Sequence, residues 1–247
     1  MPFSAAPSPV TKNARLLTGA ATIALALAFN VPYAILAVTY DYPNVLRRPA
    51  GEALDMFAAG GPNLILTWHS FALSALLLVP LAIALASTPR AVAERPGLAI
   101  GAAIAGCLAG LAQAIGLWRW VFVVPGLARV HSDPNADAAA RSSAEVTFDL
   151  INQYGGVAIG EHLGQLLTAL FVLLLSALQW TDSRRVSAAL GFVTAAAIAI
   201  GTNEGVAIAL GQSGEVFALA TIAGFVGLTV WLIATGIGLI RAQDSRG

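Results

Sequence analysis

Apolar residues run along this chain in six long stretches, and the charged residues gather between them. The stretches are Arg15–Tyr40, Pro62–Ser87, Gly97–Val121, Val157–Trp180, Val186–Leu210 and Val216–Ile240. The hydrocarbon core of a bilayer takes about 20 apolar residues per helical crossing, and each stretch reaches that length. The pattern predicts an all-α, polytopic membrane protein, a single integral domain over residues 1–247 folded as a six-transmembrane-helix bundle. Connections are short except for Asp41–Gly61 and Phe122–Gly156. In the second, Asp133-Pro134 has the order of a helix cap followed by proline at the first helical position. Ala140, Ala144, Phe148 and Ile151 then recur at helical spacing, largely opposite Arg141, Glu145, Asp149 and Asn152. That predicts a short outer amphipathic helix over residues 134–154, lying on the membrane or over the mouth of the bundle.

Composition agrees with a lipid solvent. Apolar residues make up 57% of the chain and charged residues 11%, against about 25% charged in soluble domains. There is no basic block of the kind that binds nucleic acid. Lys12 is the only lysine and precedes the first apolar stretch, which excludes a Schiff base inside the membrane. Cys107 is the only cysteine and has no partner for a disulfide within the chain. The first apolar stretch is longer than the 7–15 residues of a typical signal core, so a retained first helix is expected.

Charge placement predicts orientation. With the amino terminus cytoplasmic, the inner segments hold Lys12, Arg15, Arg90, Arg95, Arg184, Arg185, Arg241 and Arg246. The outer segments hold Arg47, Arg48, Arg119, Arg129 and Arg141. The excess of basic residues favours both termini inside, and a bacterial cytoplasmic membrane is the expected location. Trp118 and Trp120 near the outer end of the third stretch, and Trp180 near the inner end of the fourth, are expected as interfacial anchors. Gly156, Gly160 and Gly164, with Gly106–Gly110 and Gly201–Gly205, have the small-xxx-small spacing of helices in close contact.

Polar groups inside a bilayer are costly and point to function. At about 1.5 Å rise per residue, Asn30, His69, Glu161, His162 and Glu204 all fall in the outer half of their helices, although the helices alternate in direction. An outward-facing polar pocket explains that coincidence. Its candidate ligand-binding residues are His69, Arg119, Glu161, His162, Gln165, Asn203, Glu204, Asn30 and Tyr33. Helical geometry places Glu161, His162 and Gln165 on one face, with Glu161–Arg119 and His162–Glu204 as expected pairings. The connector Asp41–Pro49, with its two prolines, is either a strap over this pocket or a rigid link whose arginines meet lipid phosphates.

The leading reading is non-catalytic: binding, sensing or passing a small polar ligand or ion, with no cofactor and no catalytic residue. The alternative is a redox or metal protein in which His69 and His162 hold a haem or a divalent metal, although no zinc-type spacing occurs. A third is an assembly subunit, with a membrane partner or a second copy as its contact. Gly211-Gln212-Ser213-Gly214 has the spacing of an intramembrane serine protease motif, but no histidine follows His162 to act as base, and the segment reads as a turn.

The Asp41–Pro49 connector, the run Gly116–Arg129 and Gly160-Glu161-His162-Leu163-Gly164 together resemble a family of bacterial integral membrane proteins described as domain of unknown function 4386. The resemblance covers almost the whole chain and implies a six-helix bacterial membrane protein. It carries no catalytic residue across.

Overall fold

The computed structural model describes residues 9–241, with side chains from residue 13 onward. Lys12 as a side chain and Arg246, which enter the charge count above, lie outside the described residues. Among the described residues every regular element is helical: α1 Pro9–Thr39, a 3₁₀ turn at Asn44–Arg47, α2 Ala50–Ala86, α3 Pro89–Glu94, α4 Pro96–Phe122, α5 Val124–Ser132, α6 Ala138–Ile151, a π-helical segment Asn152–Leu163, α7 Gly164–Thr181, α8 Arg185–Gly201, α9 Glu204–Ala209 and α10 Glu215–Arg241. Among the described residues, six helical stretches are long and apolar enough to cross a membrane. The fold is an all-α polytopic bundle.

The crossings form a closed ring. α2 packs on α1 and α4, α4 on α7, α7 on α8, α8 on α10, and α10 returns to α1. Six crossings put both ends of the described chain on one side, here called the terminal end. The opposite side carries the Asp41–Pro49 connector and is called the connector end.

Several helices are longer than the hydropathy pattern predicts. α2 begins at Ala50, twelve residues before the expected Pro62. Its first turns are polar enough to be read as loop, and Gly61 breaks the helix with φ 60° and ψ −161° before Pro62 resumes it. Only glycine takes that conformation cheaply. α6 starts later than expected. Asp133 spends its carboxylate on the Asn135 amide at 2.9 Å, closing a local turn. Asp137 is the true cap, accepting from the Ala140 amide at 2.8 Å. The fifth stretch is broken at Thr202-Asn203, between α8 and α9. The G-x-S-G segment lies between α9 and α10, where Ser213 Oγ accepts from the Glu215 amide.

The glycine-rich spacing marks real contacts. A Cβ on Gly116 would fall 2.6 Å from Gly160 Cα, and one on Gly110 would fall 2.7 Å from the Ala75 carbonyl oxygen. These approaches pull α4 against the π-helical segment and against α2.

Two buried apolar clusters result. One fills the terminal half around Leu78, Phe171, Val172, Trp231 and Leu232. The other lies at the connector end around Tyr40, Leu54, Phe57, Trp68, Trp120 and Phe148. Trp120 is therefore no interfacial anchor. It is fully buried and stacks on Trp68 with ring centroids 4.9 Å apart, because its face of α4 meets α2. Trp180 is 42% exposed near the terminal end, with the Arg185 guanidinium over its ring at 4.2 Å.

Candidate functional site

Between the two clusters lies a cavity of about 230 Å³. Leu228, Leu232 and Ala26 form its floor on the terminal side, and Trp68, Phe71, Trp120 and Leu46 form a wall on the connector side. Most of the lining is apolar or aromatic. The polar groups that reach it are Asn30 and Tyr33 from α1, Gln113 and Arg119 from α4, Glu161 from the π-helical segment, Gln165 from α7, and Thr221 and Thr229 from α10.

Arg119 is 6% exposed. It donates to the Gly116 carbonyl oxygen and to Asn152 Oδ1 at 3.0 Å, and its Nε has no partner. Its guanidinium sits 5.0 Å from the Trp120 ring centroid. Gly156 makes room for it: a Cβ there would meet the guanidinium carbon at 2.6 Å. A buried charge without a counter-charge costs several kcal/mol. The ring contact and the two acceptors offset part of that cost.

The expected Glu161–Arg119 pair does not form. Glu161 Oε2 instead accepts from Arg47 Nη2 at 2.7 Å, and Glu204 Oε1 accepts from the same nitrogen at 3.1 Å. One arginine on the connector thus bridges two carboxylates, one on the π-helical segment and one on α9. Burial alone would lower the Arg47 pKa, but the two adjacent carboxylates outweigh it and hold the guanidinium above its usual value. The connector itself is braced by Arg48, which bonds Asp41 (Nε to Oδ2, 2.9 Å) and Glu52. Tyr42, Pro43 and Leu46 of the connector line the cavity. The strap reading of this segment fits that placement.

His162 does not pair with Glu204. Its Nδ1 lies 2.8 Å from the Thr202 carbonyl oxygen, as a donor in that tautomer, using an acceptor freed by the break between α8 and α9. His162, with Glu161, Gln165 and Glu204, lines a small cleft of about 10 Å³ beside the main cavity. The i→i+5 bonding of the π-helical segment changes the angular spacing, so facing directions read from a regular α-helix do not hold across Glu161 and His162.

Five of the nine expected residues therefore line the main cavity: Asn30, Tyr33, Arg119, Glu161 and Gln165. His162 and Glu204 sit at the neighbouring cleft. His69 and Asn203 line neither. His69 is partly buried on α2, with Nδ1 unpartnered. Asn203 is exposed and bonds the Ala199 and Ile200 carbonyls of its own chain segment. No group of three or more His, Cys, Asp or Glu among the described residues is arranged to hold a metal ion.

Sequence reasoning missed Gln113, Arg47 and the aromatic wall. Gln113 carried a signal, being a polar residue deep in an apolar stretch. Its amide donates to Thr168 Oγ1 at 2.7 Å. Trp68 and Phe71 carried none, because aromatic residues in apolar helices are ordinary core.

Neither the curated proteins nor the solved structures hold a match to this chain. Residues 17–236 match the family model described as Domain of unknown function (DUF4386), and the chain belongs to that family.

Proposed function

We propose that this protein is a non-catalytic membrane binding protein whose cavity holds one small amphiphilic molecule. The observation that carries the reading is the cavity's composition: an aromatic and aliphatic chamber with Arg119, Glu161 and Gln165 gathered into it. Ligand sites are mostly apolar with a few placed polar groups, and this chamber has that make-up. Its volume, about 230 Å³, is below the range of roughly 300–1,000 Å³ usual for drug-sized ligands, which argues for a small occupant. This reading departs from the small polar ligand or ion expected from the sequence: the mostly apolar lining supports a molecule with an apolar body and a polar head. The excess of basic residues at the terminal end supports a cytoplasmic location for both termini and an outward-facing connector.

Solvent extraction of protein purified in native lipid, followed by mass spectrometry, tests the proposal. Wild-type protein is expected to retain a small amphiphile in near-stoichiometric amount, and Leu117→Trp, which fills the cavity, to lose it. Identical extracts from the two proteins would sink the reading.

A second reading, a redox or metal role for His69 and His162, has one observation in its favour: the buried, unpartnered Nδ1 of His69. A Soret band or stoichiometric metal in the purified protein, lost in both His69→Leu and His162→Leu, would establish it in place of the first.

A further inference from the structure

Resting on that cavity, we infer that its ligand is a membrane-dissolved amphiphile with a neutral hydroxyl-type head, which reaches the chamber sideways from the bilayer between α1 and α10.

The route follows from which lining residues are exposed. They are Asn30 and Tyr33 on α1 and Ile222 and Val226 on α10; Tyr33 is 36% exposed, Ile222 47% and Val226 61%. The rest of the lining is buried or half-buried. The mouth of the cavity is therefore the seam where the ring of helices closes. These two helices are also the least enclosed of the six spans, with 28% and 22% of their apolar windows buried.

The seam is not open along its whole length. Near the terminal end, Gly19 and Gly236 bring the two backbones together, and a Cβ on either would fall within 2.8 Å of the other's carbonyl oxygen. Farther toward the connector, the Asn30 amide donates to Thr229 Oγ1 at 3.0 Å. Beyond that bond the facing residues are Tyr33, Val226 and Ile222, and the chamber lies behind them. From the connector side the approach is covered. Tyr42, Pro43 and Leu46 form a roof, and Arg47 pins it to Glu161 and Glu204. The connector side is covered by buried and half-buried residues, whereas the exposed part of the lining lies on α1 and α10, so a molecule already dissolved in the bilayer has the shorter path.

The head group follows from charge and from the groups left without partners. Glu161 Oε1 is buried and accepts nothing, and Arg119 Nε is buried and donates to nothing. An anionic head at this end would meet Glu161, and a cationic head would meet Arg119. A hydroxyl donates and accepts at once, so it suits a chamber with one free acceptor and one free donor. The apolar rim at Val226 and Ile222 suits a tail that continues into the lipid, which the chamber's volume also requires for any long chain.

The test uses the full-length protein in phosphatidylcholine nanodiscs and the quenching of its tryptophans by 12-bromododecan-1-ol, since Trp68 and Trp120 form the cavity wall. A saturable component of quenching is expected, and its on-rate is expected to fall about tenfold in Ile222→Phe/Val226→Phe, within the range that single interfaces show. Val193→Phe, at an exposed position of α8 that does not line the cavity, is expected to match wild type. 1-Bromododecane, which lacks the hydroxyl, is expected to give only non-saturable quenching. Equal on-rates in the rim variant and in Val193→Phe would overturn the sideways route. So would an on-rate that responds to Arg47→Ala alone. Both results would leave the cavity reading intact. Saturable binding of 1-bromododecane with the same affinity would overturn the head-group assignment. No saturable quenching by either probe would remove the cavity reading and this inference with it.

Discussion

Arg47 keeps two carboxylates from facing each other uncompensated. Glu161 and Glu204 both lean on one of its nitrogens, so losing Arg47 removes two attractions and exposes one repulsion. Arg47→Ala is expected to destabilise the protein by about 1–2 kcal/mol, between the ranges for exposed and buried pairs. Adding Glu204→Gln is expected to restore part of that loss. Thermal unfolding in detergent of the single and double variants checks both, and strict additivity would refute the shared contact. Asp41 gives a pH signature. Its carboxyl is held below the usual range by the Asn44 side-chain hydrogen bond and by Arg48. A depressed folded pKa contributes stability that is present above the unfolded value, near 3.9, and is lost as pH falls through the folded value. Asp41→Asn is expected to flatten the acid side of a melting-temperature profile scanned between about pH 6 and pH 3. A variant profile parallel to wild type would contradict this.

Among the helices, small residues decide how closely neighbours can lie, and not all of them matter equally. A Cβ on Gly116 meets backbone, Gly160 Cα at 2.6 Å, which no side-chain rotation relieves. Gly116→Ala is expected to cost about 1–3 kcal/mol or to prevent assembly, as overpacking does. Gly238 sits within α10 with nothing within 4 Å of an added Cβ. Gly238→Ala is expected to be neutral or to stabilise by up to about 1 kcal/mol through its backbone entropy. Steric-trapping measurements in micelles compare the two, and equal effects would count against close approach as the cause. The kink at Gly61 has a different origin. Its positive φ lets the first turns of α2 fold over the connector end before the helix continues, and this is what brings Leu54 and Phe57 beneath Tyr40 and Trp120.

Across the whole molecule, the two halves are held differently. The terminal half carries Trp231, Gln179 and Thr235 in one buried network, with bonds of 3.3 and 3.0 Å. The connector half contains the cavity, the π-helical segment and the break before α9. Amides around Phe171–Gln179 are expected to exchange with deuterium more slowly than those of Gly201–Gly211, because opening free energy follows buried contact density. Hydrogen-exchange mass spectrometry in nanodiscs measures this directly, and uniform protection would argue against a looser connector half. The clasp of Asp55, His131 and Glu145, with bonds of 2.8 and 2.9 Å, joins α2, α5 and α6 over that looser end.

Six crossings and an all-helical bundle were legible in the chain alone, because apolar length is a local property that the bilayer reads directly. Depth along a helix is simple arithmetic on residue number, and it picked out Asn30, Tyr33, Arg119, Glu161 and Gln165, which line the cavity, together with His69 and Asn203, which do not. Partner choice was not legible. Arg47, separated from Glu161 by 114 residues, reaches it only because the connector folds inward, while Arg119, the partner expected on depth, is turned toward Asn152. Nor was the chamber's aromatic wall, because a tryptophan in an apolar helix looks the same whether it faces lipid, core or cavity. The seam between α1 and α10, which governs what can reach that chamber, exists only when the first and last helices of the ring meet. A contact between opposite ends of the chain depends on every packing angle in between, and no local pattern of residues encodes that sum.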